Sequence, residues 1–167
     1  MVEQAAHIRS VIGSSPIAAN LLLTESAHRG YIITVKQTKT ALIVIDEADG
    51  LKKAAEALSD ALKGYETKIC PAKSFEGTDL LPAQVFFIGC DTPEPSSFAY
   101  LDKMLQHINL SGRPCGVFST DNKALKYLSK LVEASGASAG EPLLIKDISA
   151  VSADIQKWVK TIPAGNF

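Results

Sequence analysis

Apolar residues along this chain gather in short unbroken runs, and between the runs they recur at helical spacing. Residues 41–45 (Ala-Leu-Ile-Val-Ile) form the strongest run. Five apolar positions in succession, with no polar residue alternating, suit a central parallel strand covered on both faces. The run empties into Asp46, Glu47, Ala48, Asp49 and Gly50. Leu51, Ala54, Ala55, Leu58 and Leu62 then share one helical face, with Lys52, Lys53, Glu56 and Lys63 elsewhere. Gly64 is placed to stop that helix.

Four more units follow the same plan. A second strand is predicted over 66–70, then Pro71 and a mostly polar connection that holds at most a short helix, then a third strand over 85–88. Ser96 or Ser97 can cap a helix carrying Phe98, Leu101, Leu105 and Ile108 on one side. A fourth strand is expected over 115–118, and Asp121 can cap a helix that turns Ala124, Leu125, Leu128, Leu131 and Val132 inward before Gly136. A fifth strand over 143–145 precedes a last helix striped with Val151, Ile155, Trp158, Val159 and Ile162. Strands alternating with amphipathic helices predict an α/β domain over 40–163, built on a doubly wound parallel sheet.

Residues 1–39 stand outside this repeat as an N-terminal extension. Ala5, Ile8 and Ile12 suit a short amphipathic helix, and Ser15-Pro16 suits the start of a second. Residues 21–24 and 31–35 suit instead a hairpin around Ala27-His-Arg-Gly30. Either form is expected to cover a sheet edge or to pair with a second copy of the chain as a homodimer.

Composition narrows the partners. With 167 residues and 46% hydrophobic content, the chain can close one sizeable core. Its 17 basic and 18 acidic residues leave a formal charge of -1, so no global field attracts nucleic acid or an anionic membrane. The apolar run at 17–23 is too short to span a bilayer, and a cytoplasmic protein is expected. Cys70, Cys90 and Cys115 are widely spaced and read as small buried hydrophobes. Cys70 and Cys90 fall at strand ends with the first strand between them, beyond the reach of a disulfide. His7, His28 and His107 are scattered and point to no metal or nucleophile.

Three segments carry a family likeness. Ala83-Gln-Val-Phe-Phe-Ile-Gly89 is similar to the third strand of flavodoxin-like domains, which ends in glycine. Asn109-Leu-Ser-Gly-Arg-Pro-Cys-Gly-Val-Phe118 resembles their Leu-x-Gly-Lys-x run into strand four, and the stretch 136–145 with the Trp158 helix resembles their last unit. The resemblance implies a three-layer, five-stranded parallel sheet in the order 2-1-3-4-5. It also implies a crevice at the carboxyl ends of strands one, three and four. Flavodoxins bind flavin mononucleotide (FMN) there and transfer electrons. The matching loops supply Asp46, Glu47, Ala48, Asp49 and Gly50, then Cys90, Asp91 and Thr92, then Ser119, Thr120 and Asp121 as cofactor-binding candidates.

These loops depart from the flavodoxin pattern in their chemistry. The first is acidic where flavodoxins place Ser, Thr and Gly around the phosphate, and 90–95 and 119–123 contain no aromatic residue to stack on a flavin. Two unit charges 4 Å apart repel by about 4 kcal/mol at an effective dielectric of about 20, whereas a helix N-terminus returns only about 0.3–2 kcal/mol to an anion. A phosphate dianion loses that contest unless the acids turn away or a cation intervenes. Phe98 and Tyr100 are the nearest aromatics, and core packing is the expected use of both.

The acids admit other readings. Asp49 can simply cap the first helix. Asp46 and Glu47 begin too early for capping and are candidate oxygen ligands for a divalent cation such as Mg²⁺. The run Leu42-Ile-Val-Ile-Asp-Glu-Ala-Asp49 also resembles the first strand and acidic pair of response-regulator receiver domains, with Ser119, Thr120 and Lys146 matching later positions. Register puts Ile88 where a receiver's phosphoacceptor belongs, with Asp91 three residues beyond. The leading expectation is therefore a flavodoxin-like module or subunit with an altered flavin site, working with a protein partner. An FMN electron carrier or small-acceptor reductase is the alternative, and a receiver-like switch is the third.

Overall fold

The computed structural model describes residues 38–163; the expectations for the N-terminal extension lie outside that range. Strands β1 (Lys39–Ile45), β2 (Tyr65–Pro71), β3 (Val85–Gly89), β4 (Pro114–Ser119), β5 (Ser138–Ala139) and β6 (Leu143–Leu144) form one sheet. All pairings are parallel, in the order β2-β1-β3-β4-β5 with β6 also on β4. This is the expected 2-1-3-4-5 order, placing the acidic turn after the first strand at the crossover point of the sheet.

β1 earns its central position by being buried from Ala41 to Ile45. In register, Ile43 lies between Ile69 and Phe87. Because side chains alternate along a strand, the sheet feeds two cores. Leu42, Val44, Phe86, Ile88 and Val117 pack with helices α2 (Ala99–Leu105) and α3 (Asn122–Ala134). Ala41, Ile43, Ile45, Phe87 and Phe118 pack with α1 (Asp49–Ala61) and α4 (Val151–Val159). The predicted helical stripes are the buried ones: Leu51, Ala54, Ala55 and Leu58 in α1, Ala124, Leu128, Leu131 and Val132 in α3, and Val151, Ile155, Trp158 and Val159 in α4. Gly64 and Gly136 follow their helices at φ of 86° and 71°, a region that glycine enters without a Cβ clash.

Where the structure departs from the reading of the sequence, a local reason is visible. The second crossover is not one of these departures: as expected it holds no more than short helical turns, Ala72–Ser74 and Gly77–Leu80, with Phe75 and Leu80 covering the sheet there. The fifth strand is divided into β5 and β6. The Gly140 amide bonds to the Cys115 carbonyl and the Ile145 amide to that of Ser119, each end holding β4, while between them the Glu141 carbonyl turns to the Trp158 indole. Neither Ser96 nor Ser97 caps α2, which grows from a 3-10 turn at Ser96–Phe98. Asp49 is not the cap of α1: the capping position is Ala48, and Asp49 is the first helical residue, its side chain 95% exposed near Lys52.

Candidate functional site

Three loops meet at the carboxyl ends of β1, β3 and β4, and hydrogen bonds tie each to its neighbours. The Asp46 amide donates to the Gly89 carbonyl at 3.0 Å, which extends the β1–β3 pairing by one step. Asp46 Oδ1 then accepts from the Glu47 amide and from Ser97 Oγ, both at 2.9 Å. Ser97 thus fastens the loop after β3 to the acidic turn. On the other side, Thr120 Oγ1 donates to Asp91 Oδ1 at 2.7 Å, joining the loops after β3 and β4.

The buried groups beneath are also satisfied. Ser119, fully buried, donates through Oγ to the Cys90 carbonyl at 2.6 Å and accepts from the Asp121 amide at 2.9 Å. Asp121 caps α3 as expected, its Oδ1 accepting from the amides of Lys123 and Ala124 at 2.8 Å each. Burial, reinforced by the negative charges of Asp46 and Asp91, pushes the Cys90 thiol up to about 12. Such a thiol stays protonated at neutral pH, and the thiol form is a poor nucleophile. Cys70 and Cys115 are likewise buried and unpaired, as expected of small hydrophobes.

The acidic turn is braced rather than open. Glu47 Oε2 meets Lys73 Nζ at 2.9 Å, a partner contributed by the 3-10 turn after β2. Asp46 and Glu47 are therefore drawn to different partners. Among the described residues no group of three or more His, Cys, Asp or Glu side chains converges as a metal site. Gly50, near the N-terminus of α1, faces the side chain of Ile148: a Cβ at this glycine would stand 3.0 Å from Ile148 Cδ1 and 3.9 Å from Thr120 Cγ2. Thr92 is exposed, and the loop passes Glu94 at a φ of 51°, the left-handed region.

The structure thus brings Asp46 to Gly50, Cys90 to Thr92, and Ser119 to Asp121 to one end of the sheet. It also turns their polar groups toward one another. Ile88, in the position of a receiver's phosphoacceptor, is fully buried in β3, and the nearby Asp91 is bonded to Thr120. Ser97 closes the 90–97 loop expected to line the crevice, though it was not among the cofactor-binding candidates, and Lys73 and Ile148 complete the site without having been read as members of it. Lys73 carried a signal, since a basic residue just after the second strand must emerge at the same end as the acidic turn. Ile148 carried none.

A groove of about 840 Å³ opens beside the crevice, between the turn after β2 and α2. Lys73, Phe75, Gly77, Tyr100, Met104 and Ile108 contribute to its lining. Phe98 is a core residue, as expected, but Tyr100 is not. It is 55% exposed, its ring 6.1 Å from that of Phe75 and tilted by 51°. Among the described residues, short turns in place of a crossover helix leave this side of α2 uncovered.

No protein-family model matches the chain, and no curated protein matches it. Solved structures do. A short-chain flavodoxin associated with a non-canonical PDU bacterial microcompartment is 19% identical, with a TM-score of 0.63 over 74% of this chain and 98% of its own. The Streptococcus pneumoniae TIGR4 flavodoxin is 16% identical, with a TM-score of 0.61 over 72% of this chain and 97% of its own. Oxidised flavodoxin 2 from Bacillus cereus is 17% identical, with a TM-score of 0.62 over 72% and 98%. The likeness is one of fold, and the fold is flavodoxin-like.

Proposed function

We propose that this chain is a flavodoxin-like module that does not use FMN and serves as a non-catalytic binding or regulatory subunit for a protein partner in the cytoplasm. The observation that carries the proposal is the mutual bonding of the crevice loops. Ser97 and Thr120, whose hydroxyls are the groups a phosphate would seek, donate instead to Asp46 and Asp91. Phosphate binding in this position needs donors and positive potential. The acidic turn presents Asp46, Glu47 and Asp49, Ile148 leans over Gly50, and the lysines that reach the turn are already engaged, Lys73 by Glu47 and Lys52 by Asp49. The residues present do not fit the phosphate of FMN.

Three unpaired buried thiols suit a reducing compartment. No helix among the described residues is long and apolar enough to cross a membrane. An FMN-dependent electron carrier is the second reading. One observation favours it: Ala48 provides no side-chain cap, so the first amides of α1 are open to an acceptor. Titration of FMN with the purified protein, followed by flavin fluorescence, separates the two. The non-flavin reading predicts unquenched emission throughout, and saturable quenching in the micromolar range would establish the electron-carrier reading instead.

A further inference from the structure

Aspartate and asparagine side chains differ in reactivity according to the residue that follows them, and in this chain Asp49 alone among them precedes a glycine. A glycine has no Cβ to obstruct the approach of its backbone nitrogen to the preceding side-chain carbonyl carbon. Asp49 is also the acid of the crevice with most freedom, 95% of its side chain lying in solvent. By contrast Asp46 is held by Ser97, Asp91 by Thr120, and Asp121 by amides of the helix it caps. We propose that Asp49-Gly50 is a site of spontaneous backbone modification in the folded protein, closing to a succinimide and reopening in part as isoaspartate.

The start of α1 supplies the groups this chemistry needs. Its first bonds run from the Leu51 and Lys52 amides to the Ala48 carbonyl, both at 3.1 Å, so the Gly50 nitrogen precedes the helical ladder. A helix N-terminus favours negative charge, and so favours that nitrogen as it gives up its proton. Lys52 Nζ lies 3.5 Å from Asp49 Oδ1, beside an oxygen that must depart. Ring closure turns Asp49 away from the helical ψ of about −42°. The resistance is confined to one turn, because Ala48 provides no side-chain cap and helix ends open at little cost.

Water is the only co-reactant. The Gly50 nitrogen bonds to Asp49 Cγ, the Cγ–Oδ1 bond breaks, and the oxygen leaves as water, carrying the amide proton and a second proton from Lys52 or solvent. Water then adds to one of the two imide carbonyls. Cleavage between the nitrogen and Cγ restores aspartate. Cleavage at the backbone carbonyl leaves the chain running through Cγ, one methylene longer. The succinimide removes the Asp49 charge and releases Lys52, and isoaspartate returns the carboxylate in a displaced position. Both change the mouth of the crevice whatever that crevice binds, so the inference stands apart from the proposed function.

Incubation of the full chain at neutral pH and physiological temperature, followed by peptide mapping with electron-transfer fragmentation, tests it. Isoaspartate is expected at residue 49 before any other aspartate, preceded by a species lighter by one water. Gly50→Ala is expected to slow its formation at least about fivefold. Because the added Cβ stands 3.0 Å from Ile148 Cδ1, Asp49→Glu serves as a second variant. That exposed side chain leaves packing alone, and the larger ring it would need closes far more slowly, so the product is expected to vanish. A parallel sample in urea gives the rate of the unfolded chain, and the folded rate is expected to lie within about tenfold of it. Isoaspartate that forms only in urea, that appears first at another aspartate, or that accumulates unchanged in Gly50→Ala would overturn the proposal.

Discussion

At the scale of single residues, the crevice is stabilised by groups that a ligand site would leave unsatisfied. Ser119 shows this most clearly. It lies at the end of β4 in the loop set that flavodoxins use for cofactor, but its hydroxyl is wholly buried and occupied by the Cys90 carbonyl and the Asp121 amide. Replacing it with alanine strands a buried acceptor and weakens the approach to the α3 cap. Ser119→Ala is expected to cost about 1–3 kcal/mol in urea unfolding; a change near zero would show that the hydroxyl is dispensable. Asp46 was legible as an acid at a strand end, but not its partner. Ser97 stands 51 residues away, and its only local signal was a preference for helix capping. Polar pairing between distant loops depends on backbone placement that one sequence does not reveal.

At the scale of elements, strands and helices were legible where burial is one-sided or complete. β1 and the stripes of α1, α3 and α4 follow from periodicity alone. The segment between β2 and β3 was opaque because its structure comes from tertiary bonds. Asp79 accepts from Lys68 and from the Glu76 amide, and these hold its carboxyl below the usual carboxylate range. Since the folded value is depressed, this contribution is complete above the unfolded value of about 3.9 and is lost as pH falls through the folded value. Amide exchange at 76–80 is expected to accelerate relative to β1 as pH falls below the unfolded value of about 3.9, and Asp79→Asn is expected to remove that pH dependence. Constant relative protection in the wild type would contradict this. The sheet also depends on glycine for close packing. A Cβ at Gly116 would stand 2.7 Å from Phe87 Cδ1 and 2.8 Å from the Trp158 ring. Phe87 and Phe118 both meet that indole edgewise, at 5.7 and 6.1 Å between centroids. Gly116→Ala is expected to destabilise by about 1–3 kcal/mol through overpacking, visible as a lowered melting temperature with altered Trp158 fluorescence. An unshifted melt would show that the aromatic cluster yields.

At the scale of the molecule, a scaffold that elsewhere carries a flavin is retained here around loops of opposite polarity. The apolar runs and their spacing made a parallel α/β sheet readable, and its strand order followed from the resemblance to flavodoxin-like domains. The acidic character of the crevice was readable too. Lys73 could be placed near the acids from its position after the second strand, but the bond from Ser97 to Asp46 and the cover of Ile148 over Gly50 could not. The account rests on the claim that this end of the sheet rejects a phosphate dianion. The most direct measurement is a two-dimensional amide NMR titration with FMN, observing residues 46–51, 91–97 and 119–123. The account predicts that their resonances stay in place at millimolar ligand. Saturable shifts centred on Ala48, Asp49 and Gly50 would contradict it.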